Sequence, residues 1–164
     1  MAESGKSTEG KRNIMIAMDC SKHANYAFKC FVENIYRDGD NVIMAHCVEH
    51  GANLPTTMLK ADNADELESL MKEHEQKLTE TFKSIDELAN SHNIKHTLEC
   101  IYGSPGEALV KAAEQQNVDM IIVGSRGHGT IRRTVMGCTS DYIVHHAHVP
   151  VMVCKHEDEH HKLK

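Results

Sequence analysis

Hydrophobic positions along the chain fall into two patterns, short continuous apolar runs and longer segments with apolar residues on one helical face. Short apolar runs at residues 13–18, 41–48, 118–123 and 149–154 are typical of strands buried in a sheet, and residues 94–102 show a weak alternation that also predicts a strand. A segment long enough for a helix separates each run from the next. We therefore predict the element order β-α-β-α-β-α-β-α-β.

Capping residues and apolar spacing define the first and third predicted helices. Ser21 is a favourable N-cap for the first helix, which should end at the 38–40 turn. Ser104 and Pro105 fit the N-cap and the first helical position of the third helix. The apolar face predicted for the first helix consists of Ala24, Ala27, Phe28, Phe31, Val32 and Ile35.

The second helix should be the longest, over about residues 63–91, and the fourth should cover residues 138–146. Apolar residues recur at helical spacing along the whole second helix and predict one continuous buried face. That face consists of Leu67, Leu70, Met71, His74, Leu78, Phe82, Ile85, Leu88 and Ala89.

Strands that alternate with helices are typical of a parallel sheet with helices on both faces. We predict a single-domain α/β fold, a doubly wound open parallel sheet of five strands with right-handed crossovers. The domain should cover residues 12–155. Residues 1–11 and 156–164 are polar, charged and without periodicity, so we predict disordered tails there.

Composition excludes several classes of partner. At 164 residues the chain has the size of one domain, and its net charge of −6 offers no field for nucleic acid or an anionic membrane. No apolar run reaches the length of a membrane span. The six cysteines form no C-x-x-C pair and no secretory signal precedes them, which indicates reduced thiols. We expect a cytoplasmic protein.

The most specific chemical signal is the glycine-rich segment after the fourth predicted strand. Gly124, Gly127 and Gly137 have the spacing G-x-x-G-x9-G. Glycine lets another molecule approach the main chain closely, and N–H groups at a loop and a helix N-terminus form an anion site. The spacing indicates a phosphate cradle; the alternative is that the glycines only shape a surface loop. Small polar residues follow the last glycine: Cys138, Thr139 and Ser140.

Charged residues near this segment also suit a nucleotide. Arg126, Arg132 and Arg133 either pair with phosphates or lie solvated on the loop, and His128 is within reach of a phosphate. Asp19 ends the first predicted strand, where a carboxylate can bind ribose hydroxyls if the first and fourth strands are neighbours. Alternatively, Asp19 belongs to the N-cap region of the first helix. The chain has neither G-x-G-x-x-G after its first strand nor a Walker A motif.

From residue 13 to residue 155 the chain resembles the universal stress protein family. The resemblance lies in I-A-M-D-C-S, in V-I-M-A-H-C-V and, most specifically, in V-G-S-R-G-H-G followed by M-G-C-T-S-D-Y-I-V-H-H-A-H-V-P-V-M-V. The glycine spacing is that of the ATP-binding branch. The resemblance implies the strand order 3-2-1-4-5 and ATP as ligand, with or without Mg²⁺.

The resemblance also implies roles for individual residues. Asp19 would contact the ribose, Ala17 and Met18 would flank the adenine, the backbone of Cys47 would recognise it, and Val123 would line the floor. The phosphates would lie on the glycine-rich segment and the residues that follow it. These are Gly124, Arg126, Gly127, His128, Gly137, Cys138, Thr139 and Ser140.

One position departs from the family pattern, because Cys138 stands where the family has Ser or Thr. A thiol is a weaker hydrogen-bonding group than a hydroxyl, so we expect weakened phosphate binding that is not abolished. A thiol at a helix N-terminus is also in an environment that promotes the reactive thiolate. The alternative is a small residue tolerated at a tight turn.

The implied function is an ATP-binding stress-response protein that signals through protein partners not identified by the sequence. Pro150 lacks an N–H donor and suits an edge strand, and the resemblance implies a homodimer through this C-terminal strand. The alternatives are a nucleotide-independent dimeric interaction or chaperone-like module, and a slow ATPase. We predict no catalytic residue and no metal site, since neighbouring histidines on a helix, His145, His146 and His148, point in different directions.

Overall fold

The computed structural model describes residues 10–49, 62–125 and 138–156. Strands and helices alternate along these residues, in the predicted order. The elements are β1 (Asn13–Ala17), α1 (Lys22–Asn34), β2 (Asn41–Val48), α2 (Ala64–Ser91), β3 (His96–Tyr102), α3 (Pro105–Gln115), β4 (Met120–Gly124), α4 (Cys138–His146) and β5 (Val151–Cys154).

All five strands are parallel and lie in the order β3-β2-β1-β4-β5. The predicted α/β class and strand order are therefore confirmed. β1 is flanked by β2 on one side and β4 on the other. The chain thus leaves β1 toward one edge and later returns to its other side, which makes the space between β1 and β4 the switch point of the sheet.

The sheet is covered on both faces, as expected for parallel strands. Ile14 and Ile16 face the layer formed by α1 and α2, whereas Met15 faces α3 and α4. All three β1 side chains are completely buried. This central strand therefore holds the carboxyl edge of the sheet rigidly in place.

The start of α1 agrees with the sequence, but its end does not. The Ser21 hydroxyl accepts a hydrogen bond from the Ala24 N–H at 3.1 Å, which confirms the predicted N-cap. The helix ends at Asn34, well before the 38–40 turn that we predicted as its end. The N–H groups of Ile35 and Tyr36 both bond to the Phe31 carbonyl and end the helix, and Gly39 adopts a φ of +97° in the turn that follows.

The predicted apolar face of α2 is only partly buried, which corrects the expectation of one continuous face. Ile85 and Ala89 are buried, whereas Leu67 is 39% exposed and Met71 is 58% exposed. The Phe82 ring lies 5.8 Å from the ring of His46, near the carboxyl end of β2. Ile85 and Ala89 belong to the buried cluster that includes Ile14 and Ile16 of β1, whereas Leu67 and Met71 do not join it.

Three strands begin later than the sequence predicted. β3 starts at residue 96, not 94, and β4 at residue 120, not 118. The residues just before β3 and β4 bond instead to the C-terminal ends of the preceding helices. The N–H of Ile94 bonds to the Ala89 carbonyl of α2, and the N–H of Val118 bonds to the Ala113 carbonyl of α3. β5 starts at residue 151, directly after Pro150, and lies at the sheet edge as predicted.

In the part of the chain that the structure describes, no helix combines the length and the apolar character needed to cross a bilayer.

Candidate functional site

The residues that the sequence singled out around Asp19 and Gly124 follow two neighbouring strands. Ile16 of β1 lies beside Ile122 of β4, so the residues after both strands emerge at the same carboxyl edge. Asp19 follows β1, and Gly124 is the last residue of β4. The fold therefore places both at the switch point, where open parallel sheets bind their ligands.

The β1–α1 turn is shaped by the Asp19 carboxylate. Its Oδ1 accepts a hydrogen bond from the Ser21 N–H at 2.9 Å. Between them Cys20 adopts a φ of +60°, a left-handed conformation that is uncommon for a residue with a side chain. The alternative role of Asp19 at the start of α1 is thus confirmed, and its contact with a ribose stays a prediction.

His46 is a site residue that the sequence analysis missed. Its Nδ1 lies 2.7 Å from the Met18 carbonyl oxygen, and the Met18 N–H donates to the Ala45 carbonyl at 2.8 Å. Because a carbonyl only accepts, the bonding tautomer carries its proton on Nδ1. The backbone just before Asp19 is thereby held on both sides. The feature of the sequence that could have indicated this role is a histidine within the otherwise apolar run of β2.

Cys47 lies near the end of β2, where its backbone was predicted to recognise adenine. Its thiol donates to the Gly103 carbonyl at 3.6 Å, and the Gly103 N–H donates to the Val48 carbonyl at 3.1 Å. Burial, together with the charges of Glu49 and Cys100, raises the pKa of Cys47 to about 11. The thiol is therefore neutral near pH 7 and acts as a structural link, while the adenine contact stays a prediction.

Gly124 lies directly against the start of α1. A Cβ at this position would be 2.7 Å from the carbonyl carbon and oxygen of His23 and 3.1 Å from the Ala24 nitrogen. These are backbone atoms that no side-chain rotation can move. This glycine is therefore required by the packing of β4 on α1, whatever it contributes to a ligand.

The two ends of the glycine-rich segment are tied together. Ser140 in the first turn of α4 is buried, and its hydroxyl donates to the Ser125 carbonyl at 3.3 Å. The Ser125 N–H in turn donates to the Cys154 carbonyl of β5 at 2.9 Å. The N-terminus of α4 is thus fixed beside the end of β4.

The remaining predicted site residues divide into two groups. Val123 is buried beneath α3 and α4, and Ala17 packs against the same cluster. Thr139 is half-buried in the first turn of α4. Four predicted phosphate contacts and the Cys138 side chain lie outside the described residues, the four being Arg126, Gly127, His128 and Gly137.

Two helix N-termini are therefore held near the carboxyl edge, that of α1 after β1 and that of α4 beside β4. Each carries a partial positive charge and N–H groups that lack a helical acceptor. Such termini attract phosphates. Within residues 10–49, 62–125 and 138–156, no three side chains of His, Cys, Asp or Glu converge as a metal site would require.

The histidines at the end of α4 have separate neighbours. His145 lies 3.5 Å from Asp141, and His148 lies 3.5 Å from Glu114 on α3. The His146 ring stacks on Tyr142 with ring centroids 3.9 Å apart. These contacts spread the three rings over different surfaces.

Comparison with known proteins gives one consistent family. The model of the universal stress protein family matches residues 11–155. Universal stress protein MJ0531 of Methanocaldococcus jannaschii is 28% identical over 141 residues, which cover 85% of this chain and 75% of that protein.

Solved structures with this fold include two that hold a nucleotide. A universal stress protein family protein from Arabidopsis thaliana, solved with AMP bound, has a TM-score of 0.65 at 17% identity, and the match covers 91% of this chain and 94% of that one. A universal stress protein in complex with cAMP has a TM-score of 0.56 at 15% identity, covering 87% and 94%. At these identities the likeness concerns the fold.

Proposed function

Because the chain belongs to the universal stress protein family, we propose that it is an ATP-binding stress-response protein. The observation that carries this proposal is the arrangement at the switch point. There Asp19 and the start of the glycine-rich segment follow adjacent strands, and the N-termini of α1 and α4 lie at the same edge. This arrangement offers hydrogen-bond acceptors for a ribose and N–H donors for phosphates.

In the proposed complex the adenosine lies at the ends of β1 and β2, near Met18 and Cys47, and the phosphates lie on the glycine-rich segment. Related folds that hold AMP and cAMP support an adenine nucleotide as the class of ligand. The spacing of Gly124, Gly127 and Gly137 supports ATP, and Mg²⁺ would be bound through its phosphates.

The proposed role is binding, not turnover. Rapid hydrolysis needs a positioned base or a residue that orients the attacking water. Asp19 is the acid that follows β1, and one of its oxygens already accepts the Ser21 N–H. We expect any phosphate release to be slow, and a slow ATPase is the alternative that a phosphate-release assay would identify.

The test is calorimetric titration of the purified protein, stripped of nucleotide, with Mg-ATP. We expect saturable binding by the wild-type chain and its loss in Gly127→Val, which adds a branched side chain to the glycine-rich segment. Gly124→Val is unsuitable here, since its side chain would collide with the backbone of α1.

Parallel titrations with AMP and GTP separate recognition of the phosphates from recognition of the base. Equal affinity of the wild type and Gly127→Val for ATP would contradict the proposed site. Absence of binding to the wild type would favour the second candidate, a nucleotide-independent dimeric interaction or chaperone-like module. The substitution of Cys138 for the family's Ser or Thr is the observation that favours this candidate.

We also propose that two copies associate through β5. This strand lies at the edge of the sheet, and its first three residues, Val151, Met152 and Val153, are apolar and half-buried. An apolar edge strand invites pairing with another strand, and a two-fold axis lets the same strand of a second copy serve.

A further inference from the structure

Two cysteines that are far apart in the sequence meet between α1 and β5. α1 packs against β5, and Cys30 packs on the buried cluster that contains Cys154. The Cys154 thiol lies 3.9 Å from the carbonyl oxygen of Ala27, which is three residues before Cys30 on the same helix. Cys30 is also near enough to the Cys154 thiol to raise its pKa. Both are free thiols.

The other thiols that the structure describes lack this arrangement. Cys47 of β2 lies opposite Ile101 of β3, and Cys100 of β3 lies opposite His46. Because successive residues of a strand point to opposite faces, the thiols of Cys47 and Cys100 lie on different faces of the sheet. The Cys20 thiol points at the Thr81 carbonyl of α2, at 3.8 Å.

The two thiols of the α1–β5 pair differ in access to solvent. Cys154 is 6% exposed, whereas Cys30 is half-buried. Burial, with the charge and hydrogen bond of Cys30, raises the pKa of Cys154 to about 12. Cys154 therefore keeps its proton, and Cys30 presents the sulfur that a dissolved oxidant reaches first.

We propose that Cys30 and Cys154 are a hydroperoxide-sensitive pair that closes to an intramolecular disulfide. The Cys30 thiolate attacks the terminal oxygen of a hydroperoxide, so an S–O bond forms, the O–O bond breaks, and an alcohol or water leaves. The Cys154 sulfur then attacks the Cys30 sulfenic acid; the S–S bond forms, the S–O bond breaks, and the hydroxyl leaves as water with the Cys154 proton. Two thiols lose two electrons to one hydroperoxide.

The bridge would act on the backbone that holds the glycine-rich segment. The Cys154 carbonyl accepts the Ser125 N–H, and the Ser125 carbonyl accepts the Ser140 hydroxyl. A disulfide at Cys154 would therefore join α1 covalently to the strand that anchors both ends of that segment. The proposal stands on the thiol pair and is independent of whether ATP binds.

The test uses the full-length chain carrying Cys138→Ser, because trypsin leaves Cys138 and Cys154 on one peptide, residues 134–155. The reduced protein is treated with hydrogen peroxide, blocked with N-ethylmaleimide, and digested without reductant. We expect mass spectrometry to find the 30–37 peptide linked to the 134–155 peptide, with a loss of two hydrogen atoms, and dithiothreitol to separate them.

Three variants serve as controls. Cys30→Ser and Cys154→Ala should each abolish the linked peptide, and Cys47→Ser should leave it unchanged. Because Cys30 is only half-buried, we expect Cys30→Ser to fold. It therefore tests the proposal even if Cys154→Ala fails to fold. Irreversible oxidation of Cys30 without a linked peptide would overturn the proposal, as would cross-links that join only separate chains.

Discussion

At the residue scale, several side chains at the carboxyl edge hold the backbone of the edge in place. The Asp19 carboxylate accepts the Ser21 N–H, the His46 ring bonds to the Met18 carbonyl, and the Ser140 hydroxyl bonds to the Ser125 carbonyl. These bonds order the backbone that a ligand would contact. The side chains therefore prepare the site even where they do not touch the ligand themselves.

The close packing of Gly124 against the backbone of α1 predicts the effect of adding one methyl group at this position. Gly124→Ala places a Cβ at 2.7 Å from the His23 carbonyl, so α1 or β4 must shift. We expect a loss of about 1–3 kcal/mol in the free energy of unfolding, as for other overpacked positions. Urea denaturation of the variant and the wild type measures it, and an unchanged midpoint with an unchanged slope would contradict the close packing.

At the element scale, α2 combines two environments in one helix. Its C-terminal part packs on the sheet through Ile85 and Ala89, whereas Leu67 and Met71 near its start are exposed. The apolar spacing is the same along the whole helix. Packing against the rest of the fold, and not the apolar spacing, therefore decides which of these side chains contributes to the core.

Matched substitutions at the two ends of α2 test this division. Ile85→Ala removes a completely buried side chain and should cost about 2–5 kcal/mol of stability. Met71→Ala changes an exposed position in the same helix and should alter stability by less than about 0.5 kcal/mol. Chemical denaturation compares the two variants. A cost for Met71→Ala that equals that of Ile85→Ala would mean that Met71 is covered in solution.

At the scale of the whole molecule, β5 is an edge strand of the sheet that residues 10–49, 62–125 and 138–156 form. The carbonyls of Pro150 and Cys154 accept hydrogen bonds from the N–H groups of Ile121 in β4 and of Ser125 directly after it. Because alternate residues of a strand face the same neighbour, the polar backbone groups of Val151 and Val153 point away from β4. These two residues provide the hydrogen bonds that a second copy would need.

A proline at this edge tests the proposed dimer. Val153→Pro removes an outward N–H while the bonds to β4 remain, so we expect a monomer with unchanged circular dichroism. Val153→Thr keeps the N–H and the β-branched shape, and should stay dimeric. Sedimentation velocity gives the masses. A monomeric wild type, or a dimeric Val153→Pro protein, would exclude association through this edge.

The element order, the α/β class and the Ser21 cap could all be predicted from the sequence. These features depend on apolar periodicity and on residues close together in the chain, and local conformational preferences suffice to specify them. The motif around Gly124 and the position of Asp19 likewise located the candidate site at a strand end, since both follow directly from their places in the sequence.

The contacts of those residues could not be predicted in this way, because they depend on how the elements pack together. The tertiary structure set the packing of Gly124 against His23, the bond from His46 to the backbone before Asp19, the exposure of Met71, and the meeting of Cys30 with Cys154. Each depends on elements that are distant in the chain and adjacent in the fold. A periodic pattern predicts which face of an element is apolar. Which neighbour covers this face depends on how the layers pack.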